Sequence, residues 1–534
     1  MQPNLESGMP GITPQILFET QEVLSENEKP RSQLAELISE KNVLYKNEHI
    51  KSSRGILQMS RAKRQHEIGG RQRPSPRVWH FILVMGDMIL LMALFVPLLF
   101  FPPVTQVFWS TLEIWNIKLI WVSLALASWC LVVNVTGSQN LSYASSRFRS
   151  SFCTLFALVL MNILWIVLSF LLLGIGFVAQ ARLQLLFFVL AIPVFTIWRV
   201  LLAEVMHLPH FLPRAVIVGV NSAGEAVAKE LQSARHPSAN ILGYIGENVE
   251  EGSYHNDLHI LGGRDVLRYL AKNGMIDMII VALDYRADSE LFKETIDAVQ
   301  FGISVLPMSV VFESSTGKIP VEHVGDQWYV ALQPERILSP LYLCWKEALD
   351  LVCGVCGLLV LCLTLPVIAL FIYLDSPGPI FYSQERVGLR GKAFRIYKFR
   401  SMHPDAEGEG RAIWAAEGDE RVTRVGRFLR ATHLDELPQL FNILRGEMSL
   451  IGPRPERAEF ISKLEQTIPF YRHRLTIKPG LTGWAQVKFR YGRTGNDALI
   501  KLQYDLYYIK RQSFMLDIFI VLMTVIEVVL CHGT

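Results

Sequence analysis

Four apolar stretches of membrane-crossing length constrain this chain more than any other feature. They lie at roughly 80–101, 117–135, 152–177 and 183–203. A helix needs about 20 apolar residues to cross the hydrocarbon core of a bilayer. Because no water is available there to satisfy a broken backbone, we predict that all four stretches are helices. With a mean hydropathy of +0.28 over 534 residues, the chain does not resemble an ordinary soluble enzyme.

The basic residues flank these stretches unevenly, and this asymmetry predicts the orientation. The loop between the second and third stretches carries Arg147 and Arg149, whereas the two other loops carry almost no basic residue. The segment before the first stretch carries Lys51, Arg54, Arg61, Lys63, Arg64, Arg71, Arg73 and Arg77. By the positive-inside rule, both termini are predicted to be cytoplasmic.

One acidic residue, Asp87, lies within the first apolar stretch. Acids inside a membrane are unfavourable and often functional, so Asp87 is a candidate transport residue. The alternative is an acid that is paired or hydrated near the end of its helix.

Composition divides the chain into four parts. Residues 1–75 lack sustained periodicity and are rich in Glu, Lys, Ser, Gln and Asn, which predicts a cytoplasmic tail. Residues 76–205 hold the four predicted transmembrane helices. We predict a middle α/β domain with its linker over 210–338 and a second α/β domain over 340–534.

The middle domain opens with a pattern that resembles the start of a Rossmann fold. A buried strand at 214–219 is followed by a turn and by a helical pattern through Leu231. In that fold a helix N-terminus receives a phosphate, but Asn221 stands where the second glycine is expected. Nucleotide binding and a degenerate, regulatory or packing role both remain open. Further strands are predicted at 241–245, 278–283 and 303–307.

A fifth apolar stretch, from Leu341 to Tyr373, is interrupted by Pro366. A complete span would place the last domain outside the cell. Dense basic residues follow it, namely Arg386, Arg390, Lys392, Arg395, Lys398 and Arg400. We therefore predict a re-entrant helix over about 345–373 that bends at Pro366, where a backbone hydrogen bond is lost, and returns to the cytoplasmic face. A complete span remains the alternative.

An acidic pair, Asp435 and Glu436, follows the arginine-rich segment 424–430. Apolar residues at 437, 440, 441 and 444 have helical spacing, so we predict that a helix begins near the pair. Thr432 would form a capping box with Asp435, or Asp435 would itself be the N-cap. At the positive end of a helix dipole both carboxylates are expected to have a depressed pKa.

Such a pair suits phosphate chemistry, since an ionised Asp can attack phosphorus while its neighbour holds a divalent cation. The alternative is that both carboxylates only cap the helix and bridge to Arg427 or Arg430. Several cations nearby favour the first interpretation. Arg454 lies in a proline-rich turn, Lys478 opens a glycine-bearing turn, and Lys398 and Arg400 are predicted to share one strand face. This set suits a substrate with two phosphates and a co-substrate held in the bilayer.

Six blocks of residues, in this order, resemble the bacterial sugar transferase family. These are the polyprenyl-phosphate hexose-1-phosphate transferases, or monotopic phosphoglycosyl transferases. The blocks lie at 375–388, 397–402, 424–430, 434–440, 446–455 and 478–484. The resemblance covers about 340–534 and makes that region the predicted catalytic domain. The four spans and the Rossmann-like domain resemble the long form of the family.

The resemblance implies transfer of a sugar 1-phosphate from a UDP-sugar to polyprenyl (undecaprenyl) phosphate, with release of UMP. This is the first membrane step of exopolysaccharide, capsule or O-antigen synthesis. Asp435 would be the nucleophile that forms a covalent phosphosugar intermediate, Glu436 would coordinate Mg²⁺, and Arg454 would hold a phosphate. Further phosphate-binding candidates are Lys398, Arg400, Arg427, Arg430 and Lys478.

The resemblance also implies a bacterial inner-membrane protein in contact with the lipid bilayer. UDP-glucose and UDP-galactose are the expected donors. A homodimer is one expected assembly. A net charge of +3 gives no sign of a nucleic-acid partner.

Two other functions, and one other mechanism, are compatible with parts of this sequence. A membrane-bound nucleotide-sugar dehydratase would share the architecture, but it needs an intact glycine motif, which Asn221 breaks. A non-catalytic scaffold or regulator of polysaccharide synthesis or export would use the acidic pair only as caps. Direct attack by polyprenyl phosphate, without a covalent intermediate, is also open.

Overall fold

The computed structural model describes most of the chain beyond residue 75. The described residues are 76–100, 115–139, 141–144, 146–173, 177–208, 210–234, 237–247, 252–283, 289–323, 340–404, 419–489 and 495–530. The predicted N-terminal tail and the linker at 324–339 lie outside these residues.

The predicted N-terminal helices are confirmed. They are α1 (Pro76–Phe100), α2 (Trp115–Thr136), α4 (Arg147–Leu173) and α5 (Phe177–Met206), and a short α3 (Leu141–Ala144) precedes α4. Among the described residues, α1, α4 and α5 are long and apolar enough to cross a membrane, as is the later helix Pro340–Asp375, and α2 contributes a shorter apolar run, Val122–Asn134. Large aromatic side chains fill the space between the helices, including Phe95, Trp129, Trp165 and Phe195.

A buried ion pair joins the first and last helices of this bundle. Arg199 of α5 donates to Asp87 of α1 at 2.5 Å, and both side chains are fully buried. Trp198 also donates to Asp87, at 3.2 Å, while Arg199 donates to the carbonyl of Ser138 at 3.1 Å. Of the two interpretations of Asp87, the structure favours the paired acid.

The middle domain is an α/β sheet. Its elements are β1 (Arg214–Val218), α6 (Ser222–Ser233), β2 (Asn240–Ile245), β3 (Tyr254–His255), β4 (Leu258–Gly262), α7 (Arg264–Lys272), β5 (Met278–Val281), α8 (Ser289–Asp297), β6 (Ser304–Pro307) and α9 (Met308–Thr316). The strand order is β3-β4-β2-β1-β5-β6, and all pairs are parallel except the β3–β4 hairpin. The strands predicted at 241–245, 278–283 and 303–307 are confirmed, whereas β3 and β4 were not predicted.

The C-terminal region builds small sheets and short helices beside one long helix. That helix is α10 (Pro340–Asp375), which is continuous and contains Pro366. It is followed by β7 (Phe381–Val387), β8 (Ala393–Phe399), α11 (Arg424–Ala431), α12 (Leu440–Leu444), β9 (Ser449–Ile451), α13 (Ala458–Thr467), β10 (Gly480–Thr482), α14 (Trp484–Lys488), α15 (Gly495–Arg511) and α16 (Phe514–Val529). Strands β7 and β8 form an antiparallel hairpin, and β9 pairs in parallel with β10.

Helix α10 packs closely on α12 because two glycines remove the intervening side chains. A Cβ at Gly354 would lie 2.7 Å from Leu444, and one at Gly357 would lie 2.5 Å from Leu440. Small residues permit this approach between helices in or near a membrane. The contact fixes the segment just after the acidic pair against the long apolar helix.

The middle and C-terminal regions are joined through α9 and α15. Lys510 of α15 donates to the buried carboxylate of Glu313 of α9 at 3.0 Å. The indole N–H of Trp484 donates to the carbonyl of Gly317 at 2.9 Å, and Ile319 N–H donates to Gln503 at 3.1 Å. These contacts dock the middle domain on the predicted catalytic domain.

The Asp87–Arg199 pair generates a prediction about stability. Asp87→Leu or Arg199→Leu alone should destabilise the protein by about 3–5 kcal/mol, because each leaves a buried charge without its partner. The double variant Asp87→Leu/Arg199→Leu should recover at least half of that loss. The measurement is the midpoint of thermal unfolding in detergent, followed by tryptophan fluorescence. Losses that add in the double variant would contradict this account.

Candidate active site

The acidic pair lies in a tight 3₁₀ turn, Leu434–Gln439, that runs directly into α12. His433 precedes it with a left-handed backbone, φ 57°, and caps nothing with its side chain. The hydroxyl of Thr432 donates to Phe428 at 2.9 Å. A helical segment does begin beside the pair as predicted, but it is 3₁₀ rather than α, and neither Thr432 nor Asp435 is its N-cap. The left-handed residue turns the chain sharply after α11, and the α-helix begins only at Leu440.

Glu436 is held by two cations. Lys398 donates to its Oε1 atom at 2.5 Å, and Arg454 donates to the same atom at 2.7 Å. Only 9% of Glu436 is exposed. Burial acts to raise the pKa of this carboxyl, but Arg454 and Lys398 outweigh burial and hold the pKa well below its ordinary value. Glu436 is thus an ionised carboxylate fixed between β8 and the turn that follows β9.

Asp435 behaves differently although it is the next residue. It is 7% exposed, and its burial together with the negative charge of Glu436 raises its pKa. Lys398, Arg430 and Arg454 act against that shift. Within the described residues no hydrogen bond reaches the Asp435 carboxylate. The predicted depression of both pKa values is therefore wrong for Asp435 and right for Glu436, where ion pairs contribute directly.

The other predicted phosphate ligands are distributed unevenly around the pair. Arg430 lies close enough to Asp435 to act against the rise in the pKa of that carboxyl. It donates to the hydroxyl of Ser401 at 2.9 Å. Arg427 is exposed on α11. The ammonium of Lys478 lies 3.7 Å from the position of a Cβ at Gly446. Among the described residues, neither Arg427 nor Lys478 makes a hydrogen bond to the acidic pair.

Arg400 binds the backbone of the protein and, within the described part of the chain, makes no hydrogen bond to the acidic pair. It is buried and donates to the carbonyls of Ser376 and of Pro377, the latter at 3.2 Å. Strand β8 ends at Phe399, so Arg400 does not share a strand face with Lys398 as predicted. Its guanidinium instead holds the chain where it leaves α10.

A buried asparagine that the sequence analysis did not identify supports the site. Asn442 of α12 donates to the carbonyl of Arg395 and to Glu447, both at 2.7 Å. It therefore ties α12, just after the acidic pair, to β8, which carries Lys398. A polar residue amid the apolar residues of a short helix was its only signal in the sequence.

The pair offers oxygen ligands for a divalent cation. Among the described residues there is no cluster of three or more His, Cys, Asp or Glu side chains that would form a complete metal cage. Mg²⁺ is commonly bound by one or two carboxylates together with substrate phosphates and water. One oxygen of Glu436 already accepts from Lys398 and Arg454, so its other oxygen and the Asp435 carboxylate are the ligands that the pair leaves for that mode of binding.

The crevice of the middle domain is occupied by its own side chains. The amide oxygen of Asn221 accepts from Gly224 N–H at 2.9 Å, and its NH₂ group donates to the carbonyl of Ala282 at 2.6 Å. Glu225, in the first turn of α6, pairs with His255 at 2.6 Å. The helix N-terminus thus has an internal cap and an adjacent acid, which disfavours a phosphate there.

The dehydratase alternative also needs a Tyr-x-x-x-Lys pair to move protons, and the sequence contains one, at Tyr342 and Lys346 in α10. Tyr342 donates to Asp517 at 2.9 Å, and Lys346 donates to Tyr508 at 2.8 Å. Both residues therefore anchor α10 to α15 and α16, in a region separate from the middle domain in which a dehydratase would use them.

The contrast between the two carboxylates predicts opposite effects on stability. At neutral pH the ionised form of Glu436 stabilises the fold, and this contribution disappears as pH falls below about 4, so Glu436→Gln should cost about 1–3 kcal/mol. For Asp435, whose pKa is raised, the charged form opposes folding at neutral pH, so Asp435→Asn should be neutral or stabilising.

Thermal unfolding at neutral pH, in detergent with a metal chelator, measures both variants. Glu459→Gln, an exposed change on α13, serves as the charge-matched control. Equal destabilisation by Asp435→Asn and Glu436→Gln would contradict the assignment.

Comparison with known proteins places the acidic pair within a region that matches a family model. Residues 341–531 match the family model described as bacterial sugar transferase, and residues 134–296 match one described as a CoA-binding domain. The chain is 42% identical over 223 residues to the UDP-N-acetylgalactosamine-undecaprenyl-phosphate N-acetylgalactosaminephosphotransferase of Aeromonas hydrophila, covering 42% of this chain and 52% of that protein.

Two further relatives extend the match. The UDP-glucose:undecaprenyl-phosphate glucose-1-phosphate transferase of Xanthomonas campestris pv. campestris is 32% identical over 321 residues, or 59% of this chain and 66% of that protein. The exopolysaccharide production protein PSS of Rhizobium leguminosarum bv. phaseoli is 39% identical over 187 residues, or 34% of this chain and 94% of that protein. The chain spans about half to two thirds of the first two relatives. Because the chain covers 94% of the PSS protein at 39% identity and matches the family model, it belongs to the bacterial sugar transferase family.

Proposed function

We propose that this protein transfers a sugar 1-phosphate from a UDP-sugar to undecaprenyl phosphate and releases UMP. The observation that carries the proposal is the geometry of the acidic pair. Asp435 carries no hydrogen bond in the described structure, beside Glu436, which Lys398 and Arg454 hold ionised. Relatives named as undecaprenyl-phosphate sugar phosphotransferases support the same chemistry.

In the proposed first step, a carboxylate oxygen of Asp435 attacks the phosphorus that bears the sugar. The bond from that phosphorus to the bridging oxygen of the diphosphate breaks, and UMP leaves with the electron pair. In the second step an oxygen of undecaprenyl phosphate attacks the same phosphorus and releases Asp435. A raised pKa makes the ionised Asp435 a more basic nucleophile than an ordinary aspartate.

The basic residues and the metal would stabilise charge on the phosphate oxygens. Arg454 is 47% exposed at its side chain while it donates to Glu436, so its remaining donors are available to a phosphate. Arg430 is the next candidate by its position near Asp435. Mg²⁺, held by Glu436 when bound, would neutralise charge on the diphosphate.

The transferred sugar is proposed to be a hexose. Glucose and galactose are the donors expected from the sequence, and the names of relatives add N-acetylgalactosamine to the set worth testing. The reaction would be the first membrane step of exopolysaccharide, capsule or O-antigen synthesis at the bacterial inner membrane, with both termini cytoplasmic. A homodimer stays a prediction.

The activity is tested with purified full-length protein in detergent with Mg²⁺. UDP-glucose, UDP-galactose and UDP-N-acetylgalactosamine are supplied with and without undecaprenyl phosphate, and UMP release is measured. We expect lipid-dependent release with one donor, and a loss of at least about 1,000-fold in Asp435→Asn because its covalent step is removed.

Glu459→Gln should retain full activity, because that side chain is exposed on α13, outside the acidic pair. Full activity of Asp435→Asn would overturn the assigned nucleophile. Absence of release with every donor from folded wild-type protein would favour the non-catalytic scaffold.

We also propose that α10 enters and leaves the membrane on the cytoplasmic side. Near its start, Lys346 donates to the carbonyl of Ile451 at 3.1 Å. At its end, the carboxylate of Asp375 accepts from Val425 N–H at 2.8 Å. Since both ends contact the same domain, a helix that crossed the bilayer completely would have to separate these contacts. Pro366 is the proposed site of the bend.

Cysteine labelling tests this topology. In a variant whose seven native cysteines are replaced, Leu341→Cys and Pro379→Cys report the two ends of α10. A membrane-impermeant maleimide should label both in inverted vesicles and neither in spheroplasts, whereas Val104→Cys in the first predicted outer loop should give the reverse. Labelling of Pro379→Cys in spheroplasts would indicate a complete span.

For the middle domain we propose a Rossmann-like fold that packs against, or regulates, the catalytic domain. The order of its parallel strands, β4-β2-β1-β5-β6, supports this fold. The cap supplied by Asn221 argues against dinucleotide binding at the usual position. Contacts through Glu313, Gly317 and Ile319 support a packing role.

A further inference from the structure

The segment that carries Arg454 is held by its backbone on several sides. This segment, residues 452–457, is called the Arg454 loop. Gly452 N–H donates to Thr482, and Gly480 N–H donates to Pro453, both at 2.9 Å. Val387 N–H donates to the carbonyl of Glu456 at 3.0 Å. These bonds fix the ends of the loop, but none of them reaches the backbone of Arg454 itself.

A second arginine supplies that missing contact. Arg474 donates to the carbonyl of Arg454 at 3.0 Å, and the same nitrogen donates to Asp505 of α15 at 2.9 Å. Its other terminal nitrogen donates to the hydroxyl of Tyr471 at 2.8 Å. Arg474 is only 6% exposed, and Asp505 is buried as well. All of these partners belong to the protein, and Arg474 is buried, whereas the side chain of Arg454 is 47% exposed.

We propose that Arg474, fixed by Asp505, is a positioning residue that sets the place of Arg454 relative to Glu436. The proposal rests on the proposed transferase function, since it assigns Arg454 a task at the substrate phosphates. A planar guanidinium held by a buried carboxylate has little freedom, so the carbonyl it binds is fixed too. Displacement of a binding group by about 1 Å can reduce turnover about 100-fold.

The charges around Arg474 fit a permanent structural cation. Glu456, within the Arg454 loop, lies 3.9 Å from it as a second acidic neighbour. Burial raises the pKa of Asp505 to about 6, while Arg474 acts in the opposite direction. The phenol of Tyr471 lies beneath the guanidinium, 5.2 Å from ring centroid to Cζ. The guanidinium of Arg474 therefore contacts the ring of Tyr471 as well as the carbonyl of Arg454.

Two variants separate the contact with Arg454 from the rest of the network. Arg474→Lys keeps a positive charge near Asp505, but the shorter stem withdraws its nitrogen from the position at which one nitrogen of Arg474 reaches both Asp505 and the carbonyl of Arg454. Tyr471→Phe is the matched control, because it removes one hydrogen bond of Arg474 and leaves the other two. Both are made in the full-length protein, with Asp505→Asn as the replacement if Arg474→Lys does not fold.

Kinetics form the first arm of the test. Arg474→Lys should lower kcat/KM for the UDP-sugar about 10- to 100-fold, and Tyr471→Phe less than about 3-fold. If Arg474 acts through Arg454, adding Arg474→Lys to Arg454→Ala should cause less than about a 2-fold further loss. A general structural role predicts losses that multiply. Multiplying losses would overturn the proposal.

Hydrogen exchange forms the second arm and does not depend on activity. The amides of Val387 and Gly480 bond the carbonyls on either side of Arg454, so their exchange reports the loop. In Arg474→Lys peptides containing them should exchange several-fold faster, and in Tyr471→Phe they should not. Unchanged exchange in Arg474→Lys would overturn the positioning role. If the wild type releases no UMP, the transferase proposal fails, while the exchange result still decides whether Arg474 holds the loop.

Discussion

The charge of Glu436 is the constraint on which the rest of the catalytic region depends. A buried carboxylate is unfavourable unless cations and hydrogen bonds compensate it, and here one oxygen atom accepts from both Lys398 and Arg454. These cations come from β8 and from the turn after β9, which are far apart in sequence. The hairpin, the 3₁₀ turn and the Arg454 loop must therefore converge for the fold to be stable. The same convergence creates a cationic setting beside Asp435.

The long apolar helix α10 makes this convergence possible. Helix α10 provides the surface on which α12 and α11 pack, and glycines at 354 and 357 let α12 approach closely. Lys346 and Asp350 of α10 also bind the backbone of β9, the strand that leads into the Arg454 loop. The apolar helix thus orders the acidic pair and its basic partners. In the proposed re-entrant topology they would lie at the level of the bilayer surface, where an acceptor lipid would present its phosphate.

Much of this architecture was predictable because it depends on strong local patterns. The membrane helices follow from long apolar runs, and β1 with α6 follows from a buried strand and a helical period. The acidic pair was found from its charges amid arginines. The 3₁₀ turn was not predictable, because the apolar spacing of Leu437, Leu440 and Leu444 fits an α-helix equally well. Its conformation is set by the left-handed His433 and by packing on α10.

The wrong prediction for Arg400 also arose because a local pattern was overridden by tertiary contacts. Lys398 and Arg400 are two residues apart, which in an uninterrupted strand would put them on one face. The strand ends between them, and tertiary contact with the chain leaving α10 decides the position of Arg400. Arg474 and Asp505 were not identified because nothing in their spacing links them to residue 454. Only the folded chain brings the 3₁₀ segment Tyr471–Thr476, which carries Arg474, and helix α15, which carries Asp505, to the back of the Arg454 loop.

The pKa values of the two adjacent carboxyls shift in opposite directions, so one carboxylate stabilises the fold while the other is the proposed nucleophile. Lys398 and Arg454 bind Glu436 and lower its pKa. Asp435 is buried beside the negative charge of Glu436, and its pKa is raised. Compensation given to Asp435 instead would stabilise its charge and weaken it as a nucleophile. The arrangement therefore keeps the proposed nucleophile at a cost in folding free energy, and it places the stabilising bonds on the neighbour that is proposed to hold the metal.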